Sequence, residues 1–238
     1  MTLLIILLVL LLLWAIFFFS VAPKEMSNIL QRDPAARNYF EVIFLYPGLH
    51  AIVSHRYAHF FYKHKLFLLA RIISQISRMF TGIEIHPGAQ IGKGLFIDHG
   101  MGIVIGETTE IGDNCTIYQN VTLGGTGKDK GKRHPTIGNN VLIGCGAKVL
   151  GPFKVGDNAK IAANAVVLYE VPDNSTAVGV PARVVRINNQ KVSSMDLDQI
   201  HIPDPTSQEL CKINKHIHDI EEKLKSQNDR KEDSIENI

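Results

Sequence analysis

Residues 96–102 read FIDHGMG, an Asp98-His99 pair set against Phe96 and Ile97 and followed by closely spaced glycines. An imidazole titrates near neutral pH, so His99 has the chemistry of a general base. Alone, however, a histidine between apolar neighbours is more often a structural residue of a tight turn. Two further groups bear on the choice: Glu84, which stands 15 residues before His99, and Arg133-His134, which closes the stretch GGTGKDKGKRHP. Each residue also has a plain reading. Glu84 reads equally as a surface carboxylate, Asp98 as a turn cap and Arg133-His134 as a solvated loop tip.

The elements that carry these residues are set by a six-residue period. Aliphatic residues recur at Ile85, Ile91, Ile97 and Ile103, then at Ile105, Ile111, Ile117 and Leu123, and again at Ile137, Ile143, Val149, Val155, Ile161 and Val167. Glycine often follows at once, and small residues sit four positions later, as at Ala89, Cys115, Ala147, Ala159 and Ala165. An α-helix cannot hold this register, because six residues are far from a whole number of 3.6-residue turns. Hexapeptide repeats of this kind predict a parallel β-helix over residues 82–186, each coil burying its aliphatic residues against the next. The period slips by two residues just after FIDHGMG, and residues 124–135 interrupt it again as an extruded loop. Loops extruded from a repeat body are where function concentrates.

Residues 23–81 read as helical, with one break at Pro47-Gly48 and with His50, His55, His59 and His64 marking the polar side of one helix. Residues 3–19 carry no charge, and the apolar run extends to Ala22, about the length that spans a hydrocarbon core. The expected reading of 1–22 is an uncleaved membrane anchor, with a cleaved signal peptide as rival and Met26 as an alternative start. Lys24, Arg32 and Arg37 follow the run, which places the body of the chain in the cytoplasm. Residues 187–238 comprise a linker, a short amphipathic helix with Leu210, Ile213, Ile217, Ile220 and Leu224 on one side, and a charged tail ending in Ile238.

Composition excludes some functions. The 25 Lys and Arg nearly balance the 23 Asp and Glu, and the basic residues form no stripe, which argues against nucleic-acid binding. The three cysteines form no CxxC pair, so neither a disulfide framework nor a zinc knuckle is expected. Three imidazoles lie on the coil, His86, His99 and His134, but without the close pairing that a zinc-dependent coil enzyme uses.

The stretches RDPAARNYFEV, GLHAI, TGIEIHPGAQIGKGLFIDHGMGIVIGET, VTLGGTGKDKGKRHPTIG and VGVPARVV together resemble the serine O-acetyltransferases. The resemblance covers about residues 30–186 and leaves out the apolar segment 1–22. It implies a mainly β fold, a left-handed parallel β-helix behind an α-helical N-terminal region, assembled as trimers or dimers of trimers. It implies transfer of acetyl from acetyl-CoA to the hydroxyl of L-serine, with no metal. His99 then matches the general base and Glu84 its orienting carboxylate, where many members carry Asp. Asp33, Asp98, Arg133 and His134 match the residues that hold serine, and Gly125, Cys145 and Ala163 fall at acetyl-CoA contacts. Ile238 matches the terminal residue by which the family binds cysteine synthase. A base near the serine hydroxyl is what the reaction needs, since an alcohol is a weak nucleophile at neutral pH. Backbone N–H groups, or His134, would face the oxyanion. Alternatives are an acyltransferase acting on a sugar or xenobiotic, and a non-enzymatic β-helix scaffold.

Overall fold

A computed structural model describes residues 22, 25–127, 130–187, 213–218 and 220. The chain divides into two compact units, Met1–His201 and Ile202–Ile238. In the second unit residues 213–218 and 220 are helical, within the expected amphipathic helix; Ile238 lies outside the described residues. The expected anchor over 1–22 also lies outside them except for Ala22. Among the described residues no helix is long and apolar enough to cross a membrane.

Among the described residues the coil carries fifteen short strands, β1 (Glu84–Ile85) to β15 (Arg183–Ile187), on three faces. One face stacks β1, β4 (Val104–Ile105), β7 (Thr122–Gly124), β10 (Lys148–Leu150) and β13 (Val166–Val167). The second stacks β2 (Gln90–Ile91), β5 (Glu110–Ile111), β8 (Thr136–Ile137) and β11 (Lys154–Val155). The third runs from β3 (Phe96–Ile97) through β6 (Thr116–Ile117), β9 (Leu142–Ile143) and β12 (Lys160–Ile161) to β14 (Ser175–Val178) and β15. All pairings are parallel except β14 with β15.

The aliphatic residues form one ladder per face. Ile85, Ile105, Leu123, Val149 and Val167 are in register on the first face. Ile91, Ile111, Ile137 and Val155 follow on the second, and Ile97, Ile117, Ile143 and Ile161 on the third. All are buried. Burial of each such side chain contributes about 1.5–3 kcal/mol, which is why two-residue strands with few local bonds persist. The ladder of the first face passes through Ile105, so the two-residue slip after FIDHGMG is an insertion in the corner between β3 and β4. Ile103 is buried beneath that corner, its carbonyl accepting from Glu84 N–H at 2.9 Å.

Among the described residues four helices precede the coil: α1 (25–32), α2 (Tyr39–Leu45), α3 (Pro47–Lys63) and α4 (Phe67–Thr81). The break read at Pro47-Gly48 is the start of α3, where proline suits the first helical position. A side chain at Gly48 would meet the Ile97 carbonyl at 2.5 Å, so α3 lies directly on the strand that leads into Asp98-His99. His50, His55 and His59 of α3 and His64 at its C-cap do not form one polar side. His55 is buried and His59 Nδ1 lies 2.8 Å from the Pro87 carbonyl, so this part of the helix faces the coil. The helix is covered on more than one side, which removes the polar stripe expected of a surface helix. α4 ends at Gly82 in the left-handed conformation and hands the chain straight to β1.

Candidate active site

The corner between β3 and β4 holds the candidate base. His99 has φ 58°, and its imidazole is 73% exposed. The glycines make the detour: Gly100 and Gly102 both have positive φ, and Gly102 N–H donates to the Gly82 carbonyl at 2.9 Å. The corner is therefore seated on the end of α4 while the histidine projects outward. His99 Nε2 lies 3.9 Å from Asp98 Oδ1. Beside His99 opens a cleft of ≈ 830 Å³ between the helices and the corner, with His50, Ser54, Tyr57 and Met101 among its walls.

Asp33 reaches this corner from the helical region, and the preceding residue explains how. Arg32 is buried, and its guanidinium donates to the carbonyls of Gly94 at 3.2 Å and Cys115 at 3.3 Å and to the Thr116 hydroxyl. Anchoring Arg32 on the coil delivers the next residue, Asp33, to the neighbourhood of Asp98. Burial pushes the Asp98 carboxyl above its usual range; the His99 charge opposes this and the Asp33 charge adds to it. Tyr46 donates to Asp33 Oδ2 at 2.7 Å, and burial together with Asp33 raises its phenol. Two carboxylates and a phenol thus surround a point near an exposed imidazole, a setting that favours a cation.

Glu84 stands one coil below His99 on the first face, but its carboxylate does not pair with the imidazole within the chain. Arg78 Nη1 lies 3.1 Å and Arg71 Nη2 4.0 Å from its two oxygens. The orienting contact expected of Glu84 is replaced here by an ion pair with α4, and the carboxylate beside His99 is Asp98.

Arg133 and His134 lie at the opposite end of the first face, at the corner between β4 and β5. Arg133 Nη2 is 3.3 Å from Glu107 Oε2, and Tyr62 donates to the other oxygen of Glu107 at 3.1 Å. His134 is 7% exposed and rests on Thr108, which it meets through Nδ1 at 2.9 Å. Burial lowers the His134 pKa, with Arg133 and Lys132 adding to the effect and Glu107 opposing it. Gly125 belongs to the same corner, since a side chain there would meet the Arg133 carbonyl at 3.0 Å. Cys145 and Ala163 instead stack with Gln119 on the His99 side: the registers Ile117↔Ile143 and Ile143↔Ile161 put residues 119, 145 and 163 in one column. One chain therefore gathers Asp33, Asp98, His99, Cys145 and Ala163 at one edge and Gly125, Arg133 and His134 at another.

Tyr46, Glu107 and Thr108 were not among the residues read from the sequence. The last two had a signal. The register Ile111↔Ile137 offsets the coils by 26 residues across the loop, and the same offset takes Glu107 to Arg133 and Thr108 to His134.

Residues 134–168 match the family model for bacterial transferase hexapeptide (six repeats). A serine acetyltransferase of Bacillus pumilus (strain SAFR-032) is 55% identical over 217 residues, spanning 91% of this chain and 100% of the relative. The chain belongs to the serine acetyltransferase family. Solved members share its fold. A serine acetyltransferase in complex with cysteine superposes with a TM-score of 0.75 at 40% identity, covering 78% of this chain and 72% of that one. The serine acetyltransferase of Brucella abortus strain S19 in complex with coenzyme A gives a TM-score of 0.69 at 44% identity, over 72% and 69% of the two chains. Among the described residues no group of three His, Cys, Asp or Glu side chains is placed to hold a metal ion.

Proposed function

We propose that this member of the serine acetyltransferase family transfers acetyl from acetyl-CoA to the hydroxyl of L-serine, giving O-acetyl-L-serine and CoA. The observation that carries the reading is the convergence of Asp33 and Asp98 on the exposed His99, which suits an ammonium next to a base. His99 takes the hydroxyl proton as the serine oxygen attacks the thioester carbonyl, and returns it to the departing thiolate. Glu84 lies one coil away and serves as the orienting carboxylate once it leaves Arg78 for the imidazole, the role that Asp plays in many relatives. Small side chains at Cys145 and Ala163 leave a shallow edge suited to an extended ligand such as acetyl-CoA laid along the coil.

Arg133 and His134 sit at the far end of the face, so a second copy packed against the His99 edge is the source of these residues for each site. Left-handed coils assembled as a trimer, or as a dimer of trimers, satisfy this requirement. Two dependent readings follow from the sequence, and a third from the relative solved with cysteine. Residues 1–22 anchor the enzyme to a membrane with its body in the cytoplasm, Ile238 binds cysteine synthase, and cysteine competes at the serine site. Membrane fractionation, deletion of Ile238 with a synthase binding assay, and inhibition kinetics test them in turn.

The main test is an acetyl-CoA assay with serine and with a panel of amino-sugar and alcohol acceptors. Serine is expected to be the preferred acceptor; a sugar acetylated faster than serine overturns the reading.

A further inference from the structure

The contacts of Thr108 fix more than the path of the loop. Its hydroxyl oxygen accepts from Arg133 N–H at 3.1 Å and from His134 N–H at 3.2 Å, so both main-chain groups of the pair are tied to one side chain. The hydroxyl has one hydrogen, and His134 Nδ1 lies 2.9 Å away to receive it. The Thr108 backbone N–H points at the same nitrogen at 3.2 Å. A backbone N–H can only donate, so Nδ1 is the acceptor and the proton of the neutral ring is on Nε2. An imidazolium would set its own Nδ1–H against that donor.

Space for the ring comes from Gly106. A side chain there would lie 2.1 Å from His134 Nε2 and 2.0 Å from Cδ2, so the imidazole lies on bare backbone. Among the described residues the hydrogen bonds of the His134 ring all go to Thr108, which leaves Nε2–H to a ligand.

We propose that Thr108 is a positioning residue that holds His134 as the neutral Nε2–H tautomer, making it a hydrogen-bond donor to an anionic oxygen of the reaction and barring it from acting as the base. The catalytic part of this inference rests on the serine acetyltransferase reading; the tautomer does not. Of the two imidazoles involved, His99 is then the one that takes the proton, and His134 faces the substrate carboxylate or the developing oxyanion.

The test combines a spectroscopic and a kinetic measurement on the full chain. Histidine labelled with nitrogen-15 reports the protonation of each ring nitrogen, and a His134→Gln spectrum assigns the signal. The Nε2–H form is expected at neutral pH; an Nδ1–H ring or an imidazolium overturns the proposal, and this measurement needs no variant of Thr108. Thr108→Val removes the hydroxyl and is expected to lower kcat/KM for serine by roughly tenfold to a hundredfold, as displaced catalytic groups do. Thr108→Ser keeps the hydroxyl and restores most of the rate. A Thr108→Val enzyme with wild-type kcat/KM overturns the positioning role. A wild-type chain with the Nε2–H ring but no transfer to serine overturns the function proposed above and leaves the Thr108 contact standing.

Discussion

The Tyr46 hydroxyl donates to Asp33 Oδ2 at 2.7 Å while the Ala35 N–H donates to Asp33 Oδ1 at 2.8 Å, so both oxygens of this carboxylate are aimed by its own segment. Neither donor carries charge, and the negative charge that Asp33 adds to Asp98 stays available to a substrate ammonium. Removing the hydroxyl frees the carboxylate to rotate and leaves the flanking helices in place. Tyr46→Phe is therefore expected to raise KM for serine about tenfold, the size of one charge-assisted hydrogen bond, with kcat and KM for acetyl-CoA little changed. Steady-state kinetics with each substrate varied in turn checks this, and an unaltered serine KM removes Tyr46 from the site.

The backbone at His99 decides which variant tests the base cleanly. Of the eight non-glycine residues with positive φ among the described residues, six are asparagines at turns of the coil, and the others are Lys65 and His99. Asparagine tolerates this conformation and alanine pays about 1–2 kcal/mol for it. Both His99→Ala and His99→Asn should lower acetyl transfer to serine by at least about a hundredfold. Of the two variants, the alanine one should be the less stable. Thermal melts beside the assay separate the two effects, and a near-normal rate in His99→Asn overturns the assignment.

The sequence carried the coil well because its period is a direct image of its packing. Of the periodic aliphatic residues from Ile85 to Val167, all but Ile103 fall in one of three ladders, and the two departures from the period mark the His99 corner, where Ile103 lies, and the loop that ends at Arg133-His134. What stayed hidden depended on partners that no local pattern names. Glu84 shows its direction only once Arg71 and Arg78 of α4 are packed beside β1. Tyr46 lies between two helices without a repeat to flag it. Thr108 gains its role only where the coil stacks it against His134.

Glu84 separates a structural from a functional role by the partner that is removed. Its pair with Arg78 is half open to solvent, with the arginine side chain 55% exposed, so Arg78→Ala should cost at most about 1 kcal/mol of stability. If Glu84 turns to His99 during reaction, Glu84→Gln lowers kcat about tenfold or more, whereas Arg78→Ala leaves kcat at or above the wild-type value. Equal losses in the two variants would assign Glu84 to holding α4 against β1. Wild-type kcat in Glu84→Gln would leave Asp98 as the one carboxylate that acts on the imidazole.

His55 sets the response of the fold to acid. It is 3% exposed between α3 and the first coil, and burial, with the charge of Arg56 adding to it, pushes its pKa down to about 3 from the 6.5 of an ordinary imidazole. Burial lowers His50, His86 and His134 in the same direction. A base whose folded pKa is depressed binds its proton more readily in the unfolded chain, so unfolding takes up protons between the two values. The neutral-ring stability is complete above pH 6.5 and is lost progressively as pH falls toward about 3. For His55 alone the loss between pH 7 and pH 5 is about 2 kcal/mol, from 1.4 kcal/mol per pH unit below the unfolded pKa. Urea unfolding at the two pH values measures it. His55→Gln, which does not titrate, should show a difference smaller by that amount even if its stability at pH 7 is lower. An equal pH dependence in the variant and the wild type would show that His55 is not the group responsible.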